Sequence, residues 1–69
     1  MDINVTINGE FRIIPEGTSV LSLLKMLDID PGRVAIEYNM EIVNKSDFND
    51  TVVKENDRLE IITFVGGGR

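Results

Sequence analysis

Cysteine, histidine and tryptophan are all absent from this chain of 69 residues, and tyrosine occurs once. Without cysteine no disulfide can staple the fold and no thiolate can serve as nucleophile or metal ligand, so stability has to come from packing alone. Without histidine the commonest general base and the commonest metal ligand are missing as well. A self-sufficient enzyme is a poor match to this composition. Positive charge is scarce: 7 Lys and Arg against 12 Asp and Glu leave a formal charge of −5. That balance works against nucleic acid as a partner, because phosphate binding needs a basic face, and suits docking on positively charged protein surfaces. Long apolar runs are also lacking. No segment approaches membrane-spanning length, and Met1-Asp2-Ile3-Asn4 lacks the basic start of a secretory signal, so no membrane partner is expected and the cytoplasm is the expected compartment.

What is present is an apolar fraction of 42%, ordinary for a globular chain and enough for one small domain whose single core is only just sufficient. Ile3, Val5 and Ile7 alternate with Asn4, Thr6 and Asn8, the period of a strand with one buried face. Asn8-Gly9 follows, a strong hairpin signal because both central turn positions need positive φ. Residues 11–14 read as the returning strand. If Arg12 and Ile14 point inward together, Phe11 and Ile13 lie on the other side of the sheet. Pro15-Glu16-Gly17 ends the strand, and Thr18 or Ser19 can cap a helix. Val20, Leu23, Leu24 and Leu27 then form one apolar stripe, with Ser22, Lys25 and Asp28 facing water. The helix is expected to stop near Asp30-Pro31-Gly32, since proline disfavours helical geometry in the residue before it.

Residues 34–38 suit a third strand, Asn39-Met40 a turn, and 41–43 a short fourth strand. Between Asn44 and Val53 the polar residues predict a loop with one tight helical turn, anchored into the core by Phe48. Glu55-Asn56-Asp57 makes a turn, and 59–64 form the last strand, Leu59 and Ile61 on one face, Glu60, Ile62 and Phe64 on the other. A hairpin, a crossover helix and more strands give an α+β fold: a mixed sheet of four to five strands with one main helix across one face. The last strand is expected beside the first, in the middle of the sheet.

The folded body is expected over residues 1–65 and a tail over 66–69. Gly66-Gly67-Gly68 is a poor strand and a poor helix, because glycine loses the most backbone entropy on ordering, so a mobile tail is expected. Such a tail can thread a tunnel in which any Cβ would clash. It also fits an ordinary frayed terminus, and the tail alone does not decide between them.

Val5-Thr6-Ile7-Asn8-Gly9-Glu10, Pro15-Glu16-Gly17-Thr18-Ser19-Val20 with Leu23-Leu24, Arg33-Val34-Ala35-Ile36-Glu37, Glu41-Ile42-Val43, Asp57-Arg58-Leu59-Glu60-Ile61 and the closing Val65-Gly66-Gly67-Gly68 stand in an order that is quite specific in so short a chain. Taken together, these stretches resemble the ThiS family of sulfur carriers in thiamine biosynthesis, which are ubiquitin-like β-grasp proteins. The resemblance implies a carrier with no bound cofactor and no catalytic or metal-ligating residue of its own. It implies that a ubiquitin-activating-type (ThiF-like) adenylyltransferase uses ATP to adenylate the terminal glycine. Sulfur from a cysteine-derived persulfide, supplied by a cysteine desulfurase or similar donor, then gives a thiocarboxylate that a ThiG-like thiazole synthase consumes. By position Gly68 would carry the sulfur, with Gly66 and Gly67 as side-chain-free tunnel residues. Other β-grasp carriers, the small subunit of molybdopterin synthase or a tRNA-thiolation carrier, share the tail chemistry, and a non-covalent ubiquitin-like interaction module would share only the fold.

Two departures from the family pattern stand out. Arg69 follows the glycines, so that either a peptidase removes it or it is not native to the chain. Met40 sits where the family turn commonly has glycine, which leaves that turn's type open. Phe64, Ile62, Phe11 and Ile13 are candidates for partner docking if they lie on the sheet face away from the helix. Alternatively, a curled small sheet hides some of them as core. Asp57, Glu60 and Glu55 are candidates for steering the carrier to a basic rim, or simply keep the surface solvated.

Overall fold

The alternation at the start of the chain becomes strand β1, Asp2–Ile7, with Ile3, Val5 and Ile7 buried. The structure is a computed structural model and describes residues 1–64; the expectations placed on Gly66, Gly67, Gly68 and Arg69, and on a boundary at residue 65, lie outside the described residues. At Asn8-Gly9 both φ angles are positive, 51° and 83°, as a two-residue hairpin turn requires. The chain returns as β2, Glu10–Pro15, paired antiparallel to β1 with Ile14 opposite Ile3. Ile14 is buried and Phe11 and Ile13 are exposed, so Arg12 and Ile14 take the helix side. Pro15 is tolerated because Glu16 N–H bonds Met1 O (2.7 Å), and alternation then turns the proline's missing donor to the outer edge.

Ser19 caps helix α1, Val20–Met26: its Oγ accepts from Ser22 N (3.0 Å). The free N–H groups of the first turn do not rely on that cap alone. Val20 N bonds Thr51 O (2.8 Å) and Leu21 N bonds Phe48 O (3.0 Å), so the loop that Phe48 anchors also satisfies the helix start. Val20, Leu23 and Leu24 are buried, with Leu27 packed at the core margin.

The helix ends a turn sooner than Asp30-Pro31 suggests. Asp28 takes φ 60°, its N–H bonds Lys25 O (3.1 Å) and Ile29 N–H bonds Leu24 O (2.9 Å). This pair of bonds is the Schellman arrangement, built on aspartate instead of the usual glycine, with Ile29 folded back toward the core. Asp30 then caps a separate 3-10 turn, Pro31–Arg33, accepting from Gly32 N through Oδ1 at 2.9 Å.

Strands β3, Val34–Tyr38, and β4, Glu41–Val43, form a second hairpin. Its turn residues Asn39 and Met40 both have positive φ, 50° and 74°, so methionine occupies the left-handed position that glycine would take without strain. A short 3-10 turn, Lys45–Asp47, leads to Phe48, which is buried as expected. The last strand, β5, Arg58–Thr63, pairs parallel to β1 and antiparallel to β3, giving the order β2-β1-β5-β3-β4. One helix thus covers one face of a five-stranded mixed sheet whose central strand is the last.

Candidate functional site

Strand β5 places Leu59 and Ile61 in the core and turns Glu60, Ile62 and Phe64 to the open face, as its alternation predicts. Its two flanks are unequal in length. β1 pairs with it only as far as Ile7 opposite Leu59, whereas β3 runs alongside from Tyr38 opposite Leu59 to Val34 opposite Thr63. Phe64 N–H bonds Arg33 O at 2.8 Å, so the last described residue is still attached to the entrance of β3.

Where β1 stops, the side chain of Asn8 takes over. Its backbone N–H bonds Leu59 O (2.9 Å), its Oδ1 accepts from Ile61 N (2.7 Å) and its Nδ2 donates to Ile61 O (3.3 Å). At the other end of β5, Asn39 N–H bonds Arg58 O (2.8 Å) and Asn39 Oδ1 accepts from Arg58 N (2.9 Å). Each hairpin turn therefore grips the central strand through its asparagine.

The four docking candidates share the open face but form two groups. Phe11 (88% exposed) and Ile13 (67%) lie on the edge strand β2; Ile62 (45%) and Phe64 (57%) lie at the end of β5. Pairing puts Phe11 in one row with Thr6 and Arg58. Ile62 is four residues beyond Arg58, about 13 Å along the strand and two strand spacings, about 10 Å, across. Ile62 instead stands opposite Ala35, and in the next row Glu60, Glu37 and Ile42 lie side by side across β5, β3 and β4. Ile42, 64% exposed, and Glu37 were not singled out from sequence: three residues of β4 are too few to show a period, and cross-strand neighbours depend on register.

The acidic candidates divide in the same way. Glu60 faces Glu37 directly, and among the described residues no cation stands within ion-pair distance of either. Like charges so placed are destabilising. Asp57 and Glu55 serve the fold instead. Asp57 accepts from Tyr38 hydroxyl, from Lys54 N (2.7 Å) and from Asn39 Nδ2 (3.1 Å). Burial, then the hydrogen bond to Asp57 and its charge, push the Tyr38 hydroxyl up to about 12. Glu55 accepts from Asn4 N (3.0 Å) and Asn4 Nδ2 (3.1 Å), and these bonds, the backbone one first, hold its carboxyl below the usual range. Among the described residues no three His, Cys, Asp or Glu side chains come together as a metal site, and no helix is long and apolar enough to cross a membrane.

A model of the ThiS family matches residues 5–68. A thiazole synthase from Paramagnetospirillum magneticum is 42% identical over 66 residues, 96% of this chain and 20% of that protein. The uncharacterized protein ycf40 of Porphyra purpurea is 40% identical over 67 residues, 97% of this chain and 94% of that one. The chain thus spans about a fifth of the thiazole synthase it matches and nearly all of the Porphyra protein. The crystal structure of a thiamine biosynthesis protein (ThiS) from Geobacter metallireducens superimposes with a TM-score of 0.83 at 33% identity, over 96% of this chain and 100% of that one. Its solution structure gives a TM-score of 0.78 over 97% of this chain and 90% of that one. Sheet order, single helix and family match agree on a ubiquitin-like β-grasp with five strands, and the chain belongs to the ThiS family, the carriers its ordered motifs resemble.

Proposed function

We propose that this protein carries sulfur for thiazole formation on the carboxylate of Gly68. What supports the reading is that the family match runs through Gly68, five residues in sequence after β5, the sheet's central strand. A carboxylate is a poor electrophile, because both oxygens share its charge. A ThiF-like enzyme therefore joins it to the α-phosphate of ATP, releasing pyrophosphate. A persulfide sulfur attacks the acyl carbon, AMP leaves, and a thiol cleaves the resulting S–S bond to free the thiocarboxylate. A ThiG-like thiazole synthase takes this sulfur. The chemistry belongs to the partners; the folded body is the handle each of them holds while the glycine arm reaches its active site.

Arg69 keeps the chain silent in this scheme, because it carries the terminal carboxylate and its side chain does not suit a glycine-width tunnel. A peptidase removes it first where it is native. Docking falls to the group at the end of β5, Ile62 and Phe64 with Ile42, where apolar side chains border the Glu37–Glu60 pair. A basic rim on the partner would neutralise that pair.

Intact mass tests the reading. The chain ending at Gly68, incubated with ATP, the activating enzyme and a persulfide donor, should exchange one carboxylate oxygen for sulfur. The chain ending at Arg69 should not, and deleting Gly68 should abolish the change while leaving the fold intact. Sulfur accepted by the Gly68 deletion would overturn the site, and an unchanged mass for the chain ending at Gly68 would overturn the function.

A further inference from the structure

We propose that Asn8 is a positioning residue for the C-terminal arm, an inference that rests on the sulfur-carrier reading. The turn alone does not call for this side chain: glycine takes a φ of 51° with less strain than asparagine. What asparagine adds is a substitute for missing strand. Past Leu59, β5 has no backbone partner on its β1 side among the described residues, and Asn8 fills that place by bonding both the N–H (2.7 Å) and the C=O (3.3 Å) of Ile61 through its amide. On the opposite side, β3 and Arg33 hold Ile62 to Phe64. Among the described residues, Asn8 alone thus holds this part of β5 on its β1 side, at Ile61. The equivalent residue of the second hairpin, Asn39, bonds the start of β5 and cannot do this.

The consequence lies at the carboxylate. Gly68 follows Phe64 by four residues, so the end of β5 sets the point from which the acyl group must reach ATP, at most about 14 Å away. Asn8 therefore acts on how often a docked carrier presents its end correctly, and not on docking itself: it bonds the peptide group next to Ile62, but its side chain lies with Ile7, Leu27 and Ile29 on the helix side, away from the open face that carries Ile62, Phe64 and Ile42.

Two substitutions in the chain ending at Gly68 separate the turn from the grip. Asn8→Gly keeps positive φ and loses both side-chain bonds. Asn8→Asp keeps the oxygen that accepts from Ile61 N. In Asn8→Gly the Ile61 amide should exchange with solvent about tenfold faster, while Val5 and Ile36 amides keep their rates. The kcat for thiocarboxylate formation should fall about tenfold, the scale of two lost hydrogen bonds at the weaker end of their range, with KM for the carrier unchanged. Asn8→Asp should recover only part of both, because the carboxylate oxygen that replaces Nδ2 meets Ile61 O as acceptor against acceptor. An unaltered Ile61 exchange rate overturns the proposal, as does a wild-type kcat in Asn8→Gly or a change confined to KM. If the unsubstituted carrier gains no sulfur, the carrier reading falls and the role of Asn8 falls with it; if it gains sulfur and Asn8→Gly does so equally fast, only the role of Asn8 falls.

Discussion

The two faces of the one sheet are made from the same strands and end in opposite conditions. On the helix side, Val5, Ile36 and Leu59 are almost wholly withdrawn from water; on the other, Ile42, Ile62 and Phe11 remain exposed, and Glu37 faces Glu60. Strand β5 contributes to both. Full burial of a Val, Leu or Ile side chain stabilises by about 1.5–3 kcal/mol, so the covered face carries the stability. Among the described residues, the open face leaves its apolar area and the Glu37–Glu60 charges without partners, as a surface awaiting one does. Truncation should separate them most plainly. Leu24→Ala, at a fully buried helix position, should cost about 2–5 kcal/mol, a large part of the total for so small a domain. Ile62→Ala should cost less than about 1 kcal/mol, because half-exposed side chains forfeit little burial. Urea unfolding midpoints measure both, and equal losses would dissolve the distinction.

The open face is itself divided, and docking is the way to sharpen that division. If docking uses this end of β5 as proposed, Ile62→Glu should raise KM for the proposed activating enzyme about tenfold or more, the cost of losing a central anchor, with an unfolding midpoint close to that of the unsubstituted protein. Phe11→Ser should leave KM within about twofold, the behaviour of a residue outside the hot spot. Equal effects from both would mean that the partner covers the whole face, across the two strand spacings that separate them.

How much of this was legible beforehand follows from how local each signal is. The alternation of Ile3, Val5 and Ile7, the stripe of Val20, Leu23 and Leu24, and the anchor Phe48 each report burial through nearest neighbours in sequence, and each was readable. The end of the helix was not, because left-handed closure at Asp28 falls on a residue without glycine's signature, while Asp30-Pro31 advertises a stop that belongs to the following 3-10 turn. The pairing of Glu37 with Glu60 and the grip of Asn8 on Ile61 join residues 23 and 53 positions apart (60 − 37 and 61 − 8). They depend on register, which no local pattern states. The alternation did put Phe64 and Ile62 on one face, but not their distance from Phe11 and Ile13.

Charge offers a smaller effect in the opposite direction. Glu37→Gln should stabilise the isolated protein by about 0.2–1 kcal/mol, by removing a like-charge pair directly across two strands. The gain should shrink in high salt as screening weakens the repulsion in the unsubstituted protein. If the pair serves a basic partner, the same substitution should slow association with the activating enzyme, most visibly at low salt. A variant that is more stable and slower to associate would place the cost of the open face in recognition; one that is more stable and equally fast would make the pair a plain defect.

The smallest effect is invisible at neutral pH and tests the margin of the covered face. Tyr38, the one tyrosine in the chain, donates to Asp57 and packs against the core, and its hydroxyl is pushed up from 10.0 to about 12 by burial first and by Asp57 second. Folding thus favours the protonated hydroxyl. Its contribution is fully present below pH 10 and is lost as pH rises from there through about 12, because the phenolate can no longer donate and is repelled by the carboxylate. Ultraviolet difference absorbance should follow this single titration in the folded protein and find its midpoint well above 10. Tyr38→Phe should flatten the alkaline limb of the unfolding midpoint against pH and leave the open face, read as KM for the activating enzyme, untouched. A Tyr38 midpoint near 10 would mean that the bond to Asp57 does not hold in solution, and that the covered face ends two residues earlier along β3, at Ile36.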